Sequence, residues 1–341
     1  MSTRPSQAPA RRTLVTGGAG FVGSHLVECL LARGDQVTVV DDLSTGRRTN
    51  LPAAHAGLRF IEADLSEALR ALGSGEVFDE VYHLAAAVGV KLVIADPIRS
   101  IETNIEQASA LFRFVIEHPT PHGPAPTLIT SSSEVYGKGL RSPFREDDDV
   151  VYGPTTVSRW SYACAKAIDE HLALAYYAKH RLPAVVVRLF NTVGPRQAGD
   201  YGMVLPRFVA AALEGRPLQV YGDGSQSRCF CDVRDVAPAL LRLMEKRACH
   251  GRVFNVGSDV PMTIARLAET VIETLEASST IEFVSYEKAY GGGFEDLAAR
   301  RPDLTRVREA IGFATGFTME QTIRDLAASM GETPNTQEAG R

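Results

Sequence analysis

Arg12-Thr13-Leu14-Val15-Thr16-Gly17-Gly18-Ala19-Gly20-Phe21-Val22-Gly23 is the stretch on which the fold turns. The apolar run ending at Thr16 has the length and content of a short buried strand. Glycines at 17, 20 and 23 follow, and then an apolar-periodic helix through Leu26, Val27, Leu30 and Leu31. In a strand–turn–helix unit, Gly17 permits the tight turn and Gly20 lets backbone approach a pyrophosphate. Gly23 lets the helix pack on the strand, and Phe21 and Val22 open the helix at that point. Alone, such a turn is as readily empty as occupied. Its surroundings decide. Gln36 to Val40 reads as a second strand and ends in Asp41-Asp42. An acid there accepts hydrogen bonds from a ribose 2′-hydroxyl and repels a 2′-phosphate, which favours NAD over NADP. Arg47 and Arg48, close behind, act in the opposite sense.

Leu58 to Ile61 reads as a third strand, and Asp64-Leu65 at its end is placed to hold an adenine edge. Val81 to Ala86 reads as the next, running into Leu84, Ala85 and Ala86, where backbone passes close to a flat ligand. Thr127 to Thr130 is another, and Asn104, on the helix expected over Pro97–Glu117, joins the cofactor set. Strands alternating with helices imply an α/β fold, a Rossmann-type doubly wound parallel sheet. The expected division is a tail at 1–10, an NAD-binding domain at 11–187, a smaller α+β substrate lobe mostly at 188–330, and a tail at 331–341. Val253 to Val256 is expected to return a strand to the sheet.

A second constellation lies further along: Ser131-Ser132-Ser133-Glu134-Val135-Tyr136-Gly137, then Tyr162 and, four residues on, Lys166. A Tyr and a Lys one helical turn apart share a helix face. Such a Tyr can transfer protons, with the Lys cation lowering its pKa. The spacing is common by chance and gains weight only from the glycine turn upstream.

Together, GGAGFVG, the acidic strand end, HLAA, SSSEVYG and YxxxK resemble the extended short-chain dehydrogenase/reductase family, over roughly Arg12 to Ala328. These enzymes act on nucleotide sugars with tightly held NAD that is regenerated in each turnover. Within the family, Gly153 to Tyr162, Gly224 to Asp235, and Arg300-Arg301-Pro302-Asp303 are similar to UDP-glucuronate decarboxylases. Arg188 to Arg196 is common to decarboxylases and epimerases and does not separate them. The family's 4,6-dehydratases carry Asp-Glu where this chain has Ser133-Glu134, and a serine is no general acid at neutral pH. Hexose 4-epimerases have little use for a carboxylate at position 134.

The resemblance implies specific roles. Tyr162 is the base for the sugar C4 hydroxyl, Lys166 its partner on the nicotinamide ribose, and Ser132 completes the relay. Ser133 and Glu134 face the substrate carboxylate, whose repulsion by Glu134 is relieved when carbon dioxide leaves. Arg300 protonates C5 afterwards, with Arg301 as the alternative. Arg159, Asn191, Val204, Arg207, Tyr221, Arg228 and Arg301 form the expected substrate set. Ser132 departs from the decarboxylases' usual Thr, which implies looser hold on the 4-keto intermediate. The leading expectation is decarboxylation of UDP-glucuronate to UDP-xylose, with some UDP-4-keto-pentose released. A UDP-hexose or UDP-uronate 4-epimerase is the alternative.

Composition bounds the rest. The chain has 341 residues and a net charge of −5. That balance argues against general nucleic-acid or anionic-membrane binding. No run reaches the apolar length of a membrane helix, and Met1 to Ala10 lacks a signal peptide's apolar core. Cys29, Cys164, Cys229, Cys231 and Cys249 form no CxxC pair and no metal-ligand spacing, which fits free thiols in a reducing cytoplasm. Cys229 and Cys231 are expected to share one side of a strand. Two long helices, Pro97–Glu117 and Ser161–Lys179, are apolar on more than one face. The resemblance implies that they pair with their copies as a four-helix bundle in a homodimer.

Overall fold

The structure, a computed structural model, describes residues 10–86, 96–199, 203–290 and 299–331. The terminal tails expected from the sequence fall almost wholly outside these residues.

The chain begins with β1 (Arg12–Thr16), α1 (Phe21–Arg33), β2 (Gln36–Asp41), β3 (Leu58–Glu62), α2 (Leu65–Leu72) and β4 (Glu80–His83). It continues through α3 (Pro97–Glu117), β5 (Thr127–Ser132), α4 (Arg159–His180), β6 (Ala184–Leu189) and β7 (Thr192–Val193). Next come α5 (Val204–Leu213), β8 (Leu218–Tyr221), β9 (Ser227–Arg228), β10 (Cys231–Asp232), α6 (Val233–Glu245) and β11 (Arg252–Val256). The last part holds β12 (Met262–Thr263), α7 (Ile264–Leu275), β13 (Ile281–Val284), α8 (Tyr286–Tyr290), β14 (Ala299–Arg300), α9 (Thr305–Ile311) and α10 (Met319–Gly331).

The main sheet is seven-stranded and parallel, in the order β11-β6-β5-β4-β1-β2-β3. Its central strands are buried on both faces because helices cover each side. Leu26, Leu30, Val236 and Leu240 from α1 and α6 pack one face against Val15 and Val39. Leu69, Leu111, Phe112 and Ala173 from α2, α3 and α4 pack the other. A continuous β-rich run such as Ala184–Leu189 suits that two-sided burial. Truncating one such leucine, Leu30→Ala, costs about 2–5 kcal/mol through lost transfer energy and the cavity left behind. A separate core joins Leu205, Phe208, Val220, Leu267, Ile323 and Leu326 of the later elements.

Strand order reverses between β1 and β4, both central. Ligands in sheets of this type bind outside the carboxyl ends of the strands at that reversal. The sequence-expected strand Val81–Ala86 stops at His83 for a related reason. Leu84 N still donates to Thr16 O at 3.0 Å, after which the chain leaves the sheet. Ala85 backbone then lies against the glycine turn, where a Cβ on Gly17 would stand 2.6 Å from Ala85 N. Cys229 and Cys231 do not share one strand as expected. Cys229 lies between β9, which pairs with β12, and β10, which pairs with β7. Both thiols are buried.

Candidate active site

One cavity of about 610 Å³ runs across the carboxyl ends of the strands into the later elements. That is within the size range of small-ligand pockets. The glycine turn forms one end. Gly17 has φ +70°, and a Cβ on Gly23 would stand 2.1 Å from Gly17 O, so neither position accepts a side chain without a backbone shift. Gly20 caps α1 without a side-chain hydrogen bond and no acid occupies the first turn. The first N–H groups of α1 are therefore left for an anion, and Phe21 and Val22 line the same wall. This backbone cradle fits the pyrophosphate of NAD.

Asp41 and Asp42 both line the cavity at the end of β2. Asp41 also holds the turn: its Oδ2 accepts Ala19 N and its Oδ1 accepts Leu43 N, each at 2.9 Å. Burial raises its pKa against these bonds. Asp42 accepts from the Ser44 backbone and hydroxyl. Leu65, Leu84, Ala85 and Ala86 line the cavity as expected. Two expected contacts are displaced. Asp64 accepts Ser66 N at 2.8 Å as the cap of α2 and takes Gln107 Nε2 at 3.2 Å, and it is Leu65 and Gln107 that reach the cavity. Asn104 is buried in α3 with Nδ2 donating to Ser100 O at 2.7 Å, and Thr103 lines the cavity instead. Helical periodicity explains this: one residue along turns the side chain by a quarter of the circle or more.

The chemical end of the cavity is built where β5 stops. Ser132 closes the strand and its Oγ accepts Glu134 N at 3.2 Å, capping the short turn Ser133–Tyr136 that carries Glu134. Ser132 also hydrogen-bonds Tyr162, which lies in the first turn of α4. Ser132, Ser133, Glu134 and Tyr162 all line the cavity. Glu134 is paired with Arg300 through Oε1, and Arg159 Nη2 lies 3.7 Å from Oε2. Burial pushes the Glu134 carboxyl up, but Arg300, Arg159 and Arg228 outweigh it and hold the group below its ordinary value. The simple picture of Glu134 as a lone charge repelling the substrate carboxylate is thereby corrected, because two guanidiniums flank it.

Lys166 departs from expectation too. It sits buried beneath the cavity wall with Nζ 3.1 Å from Asp169 Oδ2. The Tyr162 hydroxyl is raised above its ordinary value, first by burial and then by Glu134 and Asp169, with the Ser132 hydrogen bond acting against them. Lys166 is paired with Asp169, on the same helix as Tyr162. Asp169 was not singled out from sequence, although an acid three residues after a lysine on a helix is a signal for such a pair.

Three cations converge on the far wall. β14 pairs with β9 in a register that sets Arg300 opposite Arg228, and both line the cavity together with Arg159. Arg301, the alternative candidate, is exposed and its carbonyl accepts Phe144 N at 2.8 Å. Asn191 and Val204 also line the cavity, and Asn191 Nδ2 donates to Cys229 O at 3.3 Å. At the outer end the Arg207 guanidinium lies 4.0 Å from the Tyr221 ring centroid, a flat surface suited to a nucleobase. Tyr286 on α8 also faces this end and went unnoticed in the sequence.

Comparison with known proteins agrees with this geometry. Residues 13–257 match the family model described as NAD dependent epimerase/dehydratase family. A UDP-N-acetyl-alpha-D-glucosaminuronate decarboxylase of Bacillus cytotoxicus is 38% identical over 326 residues, covering 95% of this chain and 99% of the relative. UDP-glucuronic acid decarboxylase 2 of Arabidopsis thaliana is 37% identical over 314 residues, covering 92% of this chain and 66% of the relative. Among solved structures, the UDP-glucose 4-epimerase of Thermus thermophilus in complex with NAD superposes with a TM-score of 0.80 at 28% identity, covering 94% and 99% of the two chains. The glycine cradle, the parallel sheet and these relatives lead to one statement: this chain belongs to the NAD-dependent epimerase/dehydratase family, the extended branch of the short-chain dehydrogenases/reductases.

Proposed function

We propose that this protein is an NAD-dependent decarboxylase of UDP-glucuronate, forming UDP-xylose and releasing some UDP-4-keto-pentose. The carrying observation is the Glu134–Arg300–Arg159 cluster beside Ser132 and Tyr162. A 4-epimerase needs only the hydroxyl pair and the cofactor, and has no task for a paired carboxylate and two guanidiniums at the reacting carbons.

The residues divide the work. Bound NAD supplies the acceptor and donor of hydride at the sugar C4. Tyr162 takes the C4 hydroxyl proton and Ser132 holds that oxygen. A C4 ketone is β to the C6 carboxylate, so the C5–C6 electrons flow into the carbonyl as carbon dioxide leaves. Arg159 orients the carboxylate as a planar two-pronged donor. Arg300 presents its N–H face to C5, the acid's role implied by the resemblance, and Glu134 fixes where that face points. Lys166, paired with Asp169, would hold the nicotinamide ribose, the role implied by the resemblance. Arg228, Arg207 and Tyr221 take the diphosphate and base.

A second substrate reading has its own support. The Bacillus relative is named for the N-acetylated uronate and is matched along almost its whole length. Incubation with NAD and each uronate in turn separates the readings by the ratio of their kcat/KM values. A 4-epimerised uronate with no carbon lost rejects both.

A homodimer completes the proposal. α3 and α4 pack side by side and expose Ile98, at 68% exposure, with Ile101 and Ile168. Apolar side chains there support the four-helix bundle, and a monomeric mass by light scattering at micromolar protein contradicts it. Among the described residues no helix is long and apolar enough to cross a membrane. The five free cysteines support a reducing, cytoplasmic setting.

A further inference from the structure

Asn255 sits on β11, fully buried, behind the cavity wall and outside it. Its side-chain amide is held from three directions. Oδ1 accepts the Tyr136 hydroxyl at 2.7 Å, and Nδ2 donates to Phe144 O at 3.0 Å and to Asp303 O at 3.2 Å. Two of these partners belong to the segments that carry the reacting pair. Tyr136 ends the turn that holds Glu134, and Asp303 follows Arg300 by three residues. Phe144 links the two: its N donates to Arg301 O at 2.8 Å, and its carbonyl takes Asp303 N at 2.7 Å. The Tyr136 and Phe144 rings stack with centroids 4.8 Å apart. The Asn255 backbone is fixed in turn, with N donating to Glu146 Oε1 at 2.9 Å.

We infer that Asn255 is a positioning residue that sets the Glu134 turn and the Arg300 segment in register with each other. The inference rests on the proposed decarboxylation. One amide ties both carriers, so its loss lets two stretches remote in sequence shift independently. A displacement near 1 Å at a reacting group costs on the order of 100-fold in rate. The Ser132–Tyr162 pair hangs on β5 and α4, and neither residue hydrogen-bonds this amide. Carbon loss therefore suffers while C4 oxidation does not.

The experiment compares wild type, Asn255→Ala and Tyr136→Phe with NAD and UDP-glucuronate. Single-turnover absorbance of reduced cofactor reads C4 oxidation, and trapped carbon dioxide reads the second step. Tyr136→Phe removes only one hydroxyl and keeps the ring stack, so it serves if Asn255→Ala does not fold. The expected result is a carbon dioxide rate at least about tenfold lower, with KM and the C4 oxidation rate within about twofold of wild type. Equal losses in both steps, or no loss in either, overturn the inference while leaving the decarboxylase reading intact. A wild type that oxidises the uronate without losing carbon rejects that reading, and the inference with it.

Discussion

The Arg300 guanidinium is paired with the Glu134 carboxylate across 166 positions of sequence, inside the cavity that also holds Tyr162. Each member limits what the other can do. Glu134 stays ionised because Arg300 and Arg159 outweigh its burial. Arg300 is held to one direction because a charged hydrogen bond is short and strong.

Glu134→Gln keeps the shape and removes the charge, so Arg300 is freed from its anchor. Carbon dioxide release should fall by about 100-fold, while C4 oxidation by the Tyr162 site stays within a few-fold. Parallel single-turnover assays of the two steps check this, and equal losses would place Glu134 in general binding.

Ser132 carries two hydrogen bonds, to Glu134 N and to Tyr162, on a side chain free to rotate. A β-branched residue is stiffer at χ1. Ser132→Thr should therefore lower the fraction of product released as UDP-4-keto-pentose, read by chromatography of the nucleotide products. Identical ketone fractions in the two proteins would remove the idea.

Arg188 and Glu170 form a buried pair beneath the site, joined by two bonds of 2.9 and 2.7 Å. Ser131 Oγ also donates to Glu170. Removing one partner strands a buried charge, and Glu170→Ala should cost about 3–5 kcal/mol. Urea unfolding at constant m-value measures it, and a loss under about 1 kcal/mol would contradict the burial argument.

His83 is fully enclosed, with Nδ1 2.7 Å from Thr16 Oγ1. Burial, and then Lys166, bring its pKa down from 6.5 to about 3. The unfolded chain takes up a proton below pH 6.5 that the folded chain refuses. Stability from this group is thus complete above that pH and is lost as pH falls toward 3, at up to about 1.4 kcal/mol per pH unit. The melting temperature of His83→Gln should fall less steeply between about pH 7 and pH 4 than that of wild type, and parallel curves would exclude His83 as the source.

Local spacing carried much of this architecture. The Gly17–Gly20–Gly23 turn, Asp41 at a strand end, and Tyr162 with Lys166 are all set by neighbours within a few residues, so they were legible directly. Arg300 opposite Glu134 was not legible from spacing, because a short parallel strand pairing with Arg228 brings it there. Only the family resemblance pointed to it. Asp64 caps α2 and Asn104 turns to Ser100 O, while Leu65, Thr103 and Gln107 line the cavity, because spacing alone does not fix which side of a helix faces a ligand. Asn255 is not legible because its importance lies in tertiary partners, whereas the Lys166–Asp169 pair is local and its spacing carries the signal.

UDP-glucuronate labelled at the C6 carboxyl, incubated with the protein and NAD, gives the most direct test of carbon loss at this site. Labelled carbon dioxide should appear together with an unlabelled UDP-pentose, and Glu134→Gln should lose both. A UDP-uronate that keeps its label while inverting at C4 would contradict the decarboxylase assignment.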